Sequence, residues 1–150
     1  MVADEAGMRL ALREAQAAAR ADEVPVGAVI LKDGEVVGRG RNRILETGDP
    51  TAHAEMLAIQ SATHWLGERW LSGCTLFVTL EPCAMCAGAL VLARIHRLVF
   101  GASDPKTGAC GSLRNVVEDG RLNHQVGVQR GVLAGESSQL LKQFFGVKRR

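Results

Sequence analysis

Thr75-Leu76-Phe77-Val78-Thr79-Leu80-Glu81-Pro82-Cys83-Ala84-Met85-Cys86-Ala87-Gly88-Ala89 changes character at its middle. Thr75 to Leu80 is a short apolar run of the kind that fills a strand buried on both faces. Glu81-Pro82 ends it, and from about Cys83 to Ala93 the small and apolar residues continue as a helix. Pro82 suits a helix start, because its missing N–H would have been unpaired there anyway. Arg97 to Gly101 reads as the next strand, and a helical crossover makes it parallel to the first. A strand–helix–strand unit of this kind places the chain among α/β folds.

The flanking sequence extends the unit in both directions. Upstream, Asp4 to Ala21 is an Ala-rich amphipathic helix with Met8, Leu10, Leu12, Ala15, Ala18 and Ala19 as its apolar positions. Val24 to Leu31 and Glu35 to Gly40 form two strands around an Asp33-Gly34 hairpin turn. Asn42 to Pro50 is a polar loop, and a helix from about Ala52 to Thr63 carries His53 and Glu55 in its first turn. Downstream, Ala102 to Asn123 is a long loop of the kind that serves function. Val126 to Gly131 is a last strand, and Glu136 to Phe145 a terminal helix. No repeat or linker interrupts the chain. Residues 1–150 are expected to form one α/β domain of about five strands with helices on its faces.

Composition narrows the class. Of 150 residues, 47% are hydrophobic and 23% charged, which supports a sizeable core in one domain. Asp4, Glu5 and Arg9 open the chain without an apolar leader region behind them. The longest apolar stretch, Gly88 to Phe100, is broken by Arg94, His96 and Arg97, too early to span a bilayer. A cytoplasmic protein is expected, whose four cysteines bind metal or stay free thiols. Charge is uneven. Residues 1–75 hold 8 Lys and Arg against 11 Asp and Glu, while residues 76–150 hold 10 against 5. The positive excess runs to Lys148-Arg149-Arg150, which reads either as a solvated helix end or as a phosphate-contacting tail.

His53, Cys83 and Cys86 offer one imidazole and two thiolates. Three protein ligands leave the fourth position of a tetrahedral zinc open to water, the mark of a catalytic site. Cys83 and Cys86 are i and i+3 on one face of a first helical turn. The helix N-terminus and a metal would both favour their thiolates. Glu55, two residues from His53, is placed to handle the protons of that water. On a regular helix the two would diverge by about 200°, so the ligand end must lie ahead of the helix. Two other readings stay open on spacing: a structural zinc using Cys74 and Cys110, and a redox Cys-x-x-Cys. The first lacks the paired spacing of a zinc ribbon, and the second leaves His53-Ala54-Glu55 unexplained.

His-x-Glu followed by Pro-Cys-x-x-Cys is the pattern of the zinc nucleobase deaminases. The chain further resembles the bacterial tRNA-specific adenosine deaminases over nearly its full length. The matching segments are Glu23 to Val29, Asn42, Asp49 to Met56, Thr79 to Ala89, Val99 to Ala102, Lys106 to Ala109, Asn123-His124 and Phe144-Phe145 with the basic end. Cys110 stands where some members have alanine.

The resemblance implies a cytidine-deaminase-like three-layer α/β/α sandwich with a mixed sheet of about five strands. It implies one zinc per subunit on His53, Cys83 and Cys86, with Glu55 as the catalytic proton shuttle. It implies hydrolysis of adenosine to inosine at the wobble position of an arginine tRNA, with the anticodon stem-loop as partner, and a homodimer. Asn42 would hydrogen-bond the flipped nucleotide, or else satisfy its own turn. Lys106 would contact phosphate and Asp104 a ribose 2′-hydroxyl, or the two are an ordinary Asp-Pro turn and a solvated lysine. Phe145 would stack on a base and Arg149 meet phosphate. Trp65 and Trp70 read as packing residues, and Cys74, Cys110 and His124 carry no assigned role. A deaminase of free bases and a zinc-stabilised RNA-binding module are the competing functions.

Overall fold

A computed structural model describes residues 2–148. Helix α1 (Val2–Arg20) leads into a hairpin of β1 (Gly27–Lys32) and β2 (Glu35–Arg41). A short helix α2 (Ile44–Thr47) and helix α3 (Ala54–Leu66) follow. Next come β3 (Cys74–Leu80), α4 (Ala84–Leu92), β4 (Arg97–Ala102), β5 (Gly127–Gln129) and α5 (Ala134–Lys148). The five strands form one sheet in the order β2-β1-β3-β4-β5. The β2–β1 and β1–β3 pairs are antiparallel, whereas β3–β4 and β4–β5 are parallel. The parallel pairing of β3 with β4 across α4 is what the central stretch of sequence predicts. Asp33 and Gly34 both take positive φ, 51° and 80°, as the type I′ hairpin turn requires.

Alternate residues of the inner strands serve two cores. Ala28, Ile30, Leu76, Val78, Leu98 and Phe100 pack with α3 and α4, including Ala58, Ala87 and Leu90. Val29, Phe77 and Val99 pack with Met8, Ala11 and Leu12 of α1 on the other face. This two-sided burial explains why β3 reads as a continuous apolar run rather than an alternating one. Each large aliphatic side chain fully buried in such a core contributes about 1.5–3 kcal/mol. The result is the expected α/β/α sandwich.

The sequence-based expectations differ from the structure in three places. Asn42 to Pro50 is not wholly a loop. Its middle closes into α2, because the Glu23 carboxylate accepts the N–H groups of Leu45 and Glu46 at 3.1 and 2.9 Å. Trp65 and Trp70 do not pack inside, being 74% and 42% exposed. Trp70 lies instead beneath the guanidinium groups of Arg69 and Arg94, 4.4 and 4.5 Å from its ring centroid. Helix α3 begins at Ala54, not Ala52, and this shift resolves the geometry of His53 and Glu55. Helix α3 also lies unusually close to the sheet. A Cβ on Gly40 of β2 would come 2.1 Å from the Ala54 carbonyl oxygen, so only glycine lets the start of α3 rest there.

Candidate active site

Both ligand-bearing helices end their approach at the same point. His53 is the N-cap of α3 at φ −78°, ψ 152°, and Cys83 the N-cap of α4 at φ −75°, ψ 177°. An extended N-cap turns its side chain ahead of the first helical turn. His53 therefore reaches the site from outside the helix while Glu55 reaches it from within, and the divergence of about 200° expected for a regular helix does not arise. The site lies beyond the C-terminal end of β3, where open α/β sheets place their ligands.

His53 Nδ1 is 3.7 Å from Cys83 Sγ and 3.5 Å from Cys86 Sγ, and all three donor atoms lie within 4.8 Å of one another. Zinc bonds of about 2.3 Å to sulfur and about 2.0–2.1 Å to nitrogen at a tetrahedral angle separate S and N by about 3.5–3.6 Å. The two N–S separations match those of a tetrahedral zinc. Cys74 and Cys110 are buried free thiols outside this cluster, and among the described residues no four-thiolate site exists.

The electrostatics of the bare ligands agree with this. Hydrogen bonding from the Cys86 thiol, and then from His53, draws the Cys83 thiol down to about 3. The same bond to Cys83, followed by burial, pushes Cys86 up. The bond to Cys83 also raises His53. All three shifts share one main cause, the contacts that Cys83 makes. A divalent cation held by these three side chains would take the place of their protons and release them. Glu55 is 4% exposed, and burial pushes its carboxyl up to about 7. That is the range in which a carboxyl exchanges protons most usefully near neutral pH.

Asn42 is buried, and its Oδ1 accepts the Ala54 N–H at 2.8 Å. It satisfies one of the orphan donors at the start of α3, a role the sequence did not reveal. Its Nδ2 has no hydrogen-bond partner among the described residues. The Asp104–Lys106 loop is brought to the same corner, since Gly108 bridges Cys83 and the Ala109 N–H reaches the Pro82 carbonyl at 2.8 Å. Asp104 is half-buried and closes a turn. Its Oδ1 accepts the N–H of Lys106 and Thr107 at 3.0 and 3.2 Å, and its Oδ2 accepts the Thr107 hydroxyl at 2.7 Å. Lys106 is exposed. Phe145 lies on α5, 44% exposed and edge-on to Phe144 at 5.3 Å. The residues described do not join it to the cluster. Arg149 lies outside the described residues.

Two carboxylates, Glu23 and Glu81, take structural roles that their sequence neighbourhoods alone do not show. Glu23 anchors α2, and Glu81 is a buried carboxylate that gathers backbone donors from the 104–112 loop. Burial raises the Glu81 carboxyl, but hydrogen bonds from Ser112, Asp104 and Cys110 outweigh this and hold it below its ordinary value. A carboxylate directly after a mostly apolar, buried strand was the available signal, since a buried charge must find partners.

The model of the MafB19-like deaminase family matches residues 2–149. The tRNA-specific adenosine deaminase of Aquifex aeolicus is 49% identical over 92% of this chain and 91% of its own. That of Bacillus subtilis is 48% identical over 97% and 90%. The chain belongs to the tRNA-specific adenosine deaminases. It also resembles a tRNA(Ile)-lysidine synthase of Deinococcus radiodurans, 52% identical over 97% of this chain, but spans only 25% of that protein's length. Among solved structures, one from a study of A-to-I editing by tRNA:A34 deaminases at the wobble position superposes with a TM-score of 0.86. It shares 47% identity over 90% of this deaminase and 98% of that chain. The guanine deaminase of Nitrosomonas europaea shares the fold at TM-score 0.84 with 26% identity, over 95% and 84% of the two chains.

Proposed function

We propose that this deaminase hydrolyses adenosine to inosine at the wobble position of a tRNA, releasing ammonia, with the arginine tRNA anticodon stem-loop as substrate. The observation that carries the reading is the buried Glu55 carboxyl beside a His53–Cys83–Cys86 cluster of zinc dimensions. It stands in a chain more like tRNA-specific relatives, at 49% and 48% over more than nine-tenths of its length, than like guanine deaminases, at 26% and, over 66% of the chain, 39%.

Zinc held by His53, Cys83 and Cys86, one per subunit, would supply the Lewis acidity that lowers the pKa of a water from about 16 toward 7. Glu55 accepts that water's proton as its oxygen adds to C6 of adenine. The same carboxyl then delivers protons to N1 and to the departing amine, so that adenosine and water leave as inosine and ammonia. Burial of Glu55 keeps bulk solvent from competing for its proton. Asn42 keeps His53 and Glu55 in register by capping α3, and its Nδ2 remains available to the flipped base.

Recognition of RNA falls to the rim. Asp104 retains lone pairs beyond its three internal donors, and one can accept a ribose 2′-hydroxyl, the group that separates RNA from DNA. Lys106 and Arg149 are assigned to phosphates, and Phe145 to stacking on a neighbouring base. Residues 1–150 act as one domain, as a homodimer, in the cytoplasm. No described helix is long and apolar enough to cross a membrane.

The test is to incubate the zinc-loaded protein with the arginine tRNA anticodon stem-loop and, separately, with free adenine, guanine and cytosine. Inosine should form only in the RNA. Ammonia from free bases alone would overturn the tRNA assignment, and inertness toward every substrate would favour an RNA-binding module.

A further inference from the structure

The reaction described above leaves Glu81 unused, although it is a buried carboxylate two residues from a metal-binding cysteine. It is 3% exposed and forms no ion pair among the described residues. Its hydrogen bonds all come from one loop. Oε1 accepts the Asp104 N–H at 2.9 Å and the Ser112 hydroxyl. Oε2 accepts the N–H groups of Cys110 and Ser112, both at 3.0 Å. The loop therefore wraps around the carboxylate rather than lying beside it. Gly108 marks how closely, since a Cβ there would come 2.4 Å from Glu81 Cδ and 2.5 Å from the Asp104 carbonyl oxygen. The wrapped segment is also the one that bridges Cys83 through Gly108. From outside, Arg130 closes the arrangement by donating to the Cys110 carbonyl at 2.9 Å.

A carboxylate buried without an ion-pair partner is costly unless each lone pair is met. Here the loop's own backbone meets them, so loop conformation and carboxylate burial depend on each other. We propose that Glu81 is a positioning residue for the RNA substrate. It holds the loop bearing Asp104 and Lys106 in its binding geometry against the strand end that supplies Cys83. This rests on the tRNA reading of that loop. The consequence is that losing the carboxylate weakens RNA binding while sparing metal and chemistry.

Glu81→Gln separates the contributions. The amide oxygen can still accept from Cys110 and Ser112, and the Ser112 hydroxyl can rotate to accept from the new NH₂. The Asp104 N–H cannot rotate and is left facing a donor. Wild type, Glu81→Gln and Ser112→Ala, each zinc-loaded, are compared by zinc content, by kcat and KM on the anticodon stem-loop, and by amide hydrogen exchange. For Glu81→Gln we expect one zinc per chain, kcat within about threefold, and KM raised about tenfold, as for loss of one charge-assisted hydrogen bond. Exchange should quicken across residues 104–112 and not in α3 or α4. Ser112→Ala should show the same pattern more weakly.

Unchanged KM with unchanged exchange overturns the proposal, as does a fall in zinc content or in kcat with KM constant. Should Glu81→Gln fail to fold, Ser112→Ala alone decides by the same criteria. If the wild-type protein edits no RNA, the tRNA reading has failed, and the exchange of residues 104–112 still decides whether Glu81 holds the loop.

Discussion

Helices α3 and α4 supply the same cluster from differently built starts. Helix α4 leaves the C-terminal end of β3 with only Glu81, Pro82 and Cys83 between them, so Cys83 and Cys86 inherit their position from a core strand. Helix α3 follows a polar segment and is fixed by contacts from elsewhere: Asn42 on Ala54, Glu23 on α2, and the bare backbone of Gly40 beneath it. Neither N-cap side chain makes a capping hydrogen bond, because each turns instead into the His53–Cys83–Cys86 cluster that could hold a metal. One helix start is thus rigid through covalent continuity with the sheet, and the other through tertiary hydrogen bonds. Perturbing α4 should remove the metal, whereas perturbing α3 should first disturb the proton-handling group.

The largest effect is expected on the α4 side. Cys86→Ala or Cys83→Ala should leave the purified protein without zinc by elemental analysis, and activity should vanish with it. Retention of zinc in both variants would break the assignment. On the α3 side, Glu55→Ala should keep one zinc per chain while turnover falls by about 10²–10⁴ or more. Near-normal deamination by this variant would show that the proton passes through another group. Asn42→Ala removes the side-chain partner of Ala54 N–H and should lower stability by about 1–2 kcal/mol in chemical denaturation, with zinc retained and activity reduced. If stability is unchanged, α3 does not depend on its tertiary cap and the contrast with α4 weakens.

A smaller effect lies away from both helix starts. Asp4 of α1 is buried and takes two hydrogen bonds from Arg97 of β4, at 2.8 and 2.7 Å. That pairing with Arg97 holds the Asp4 carboxyl below its ordinary 3.8. A depressed carboxyl stabilises the fold above its unfolded value and loses that contribution as pH falls through the lower folded one. Asp4→Asn should therefore cost about 1–2 kcal/mol at neutral pH. The gap to wild type should close below pH 3.8, with activity per zinc unchanged. A constant gap across this range would refute the pairing as its cause.

The same contrast governs what could be read from the sequence. The β3–α4–β4 unit, the Asp33-Gly34 hairpin and the separate His53-Ala54-Glu55 and Cys83-Ala84-Met85-Cys86 motifs are local patterns, and periodicity with spacing exposes them. The start of α3 is not local. Twelve residues separate Asn42 from Ala54 and 31 separate Glu81 from Ser112, so a capping amide and a loop-holding carboxylate look like any polar residue in a row of letters. Even the helix boundary depended on this: counted from Ala52, His53 and Glu55 point apart, and the extended backbone at His53 was needed to bring them together. Trp65 and Trp70 show the opposite error, where large apolar residues suggested burial that tertiary structure does not provide.

Hydrolytic deamination would replace the adenine amine with an oxygen from solvent. The direct measurement is to run the zinc-loaded protein on the arginine tRNA anticodon stem-loop in ¹⁸O-enriched water. Mass spectrometry of the nucleosides and ammonia assay then read both products. One ammonia is expected for every inosine, with one solvent-derived oxygen in every inosine base formed. Absence of inosine, or inosine lacking the label, would contradict it.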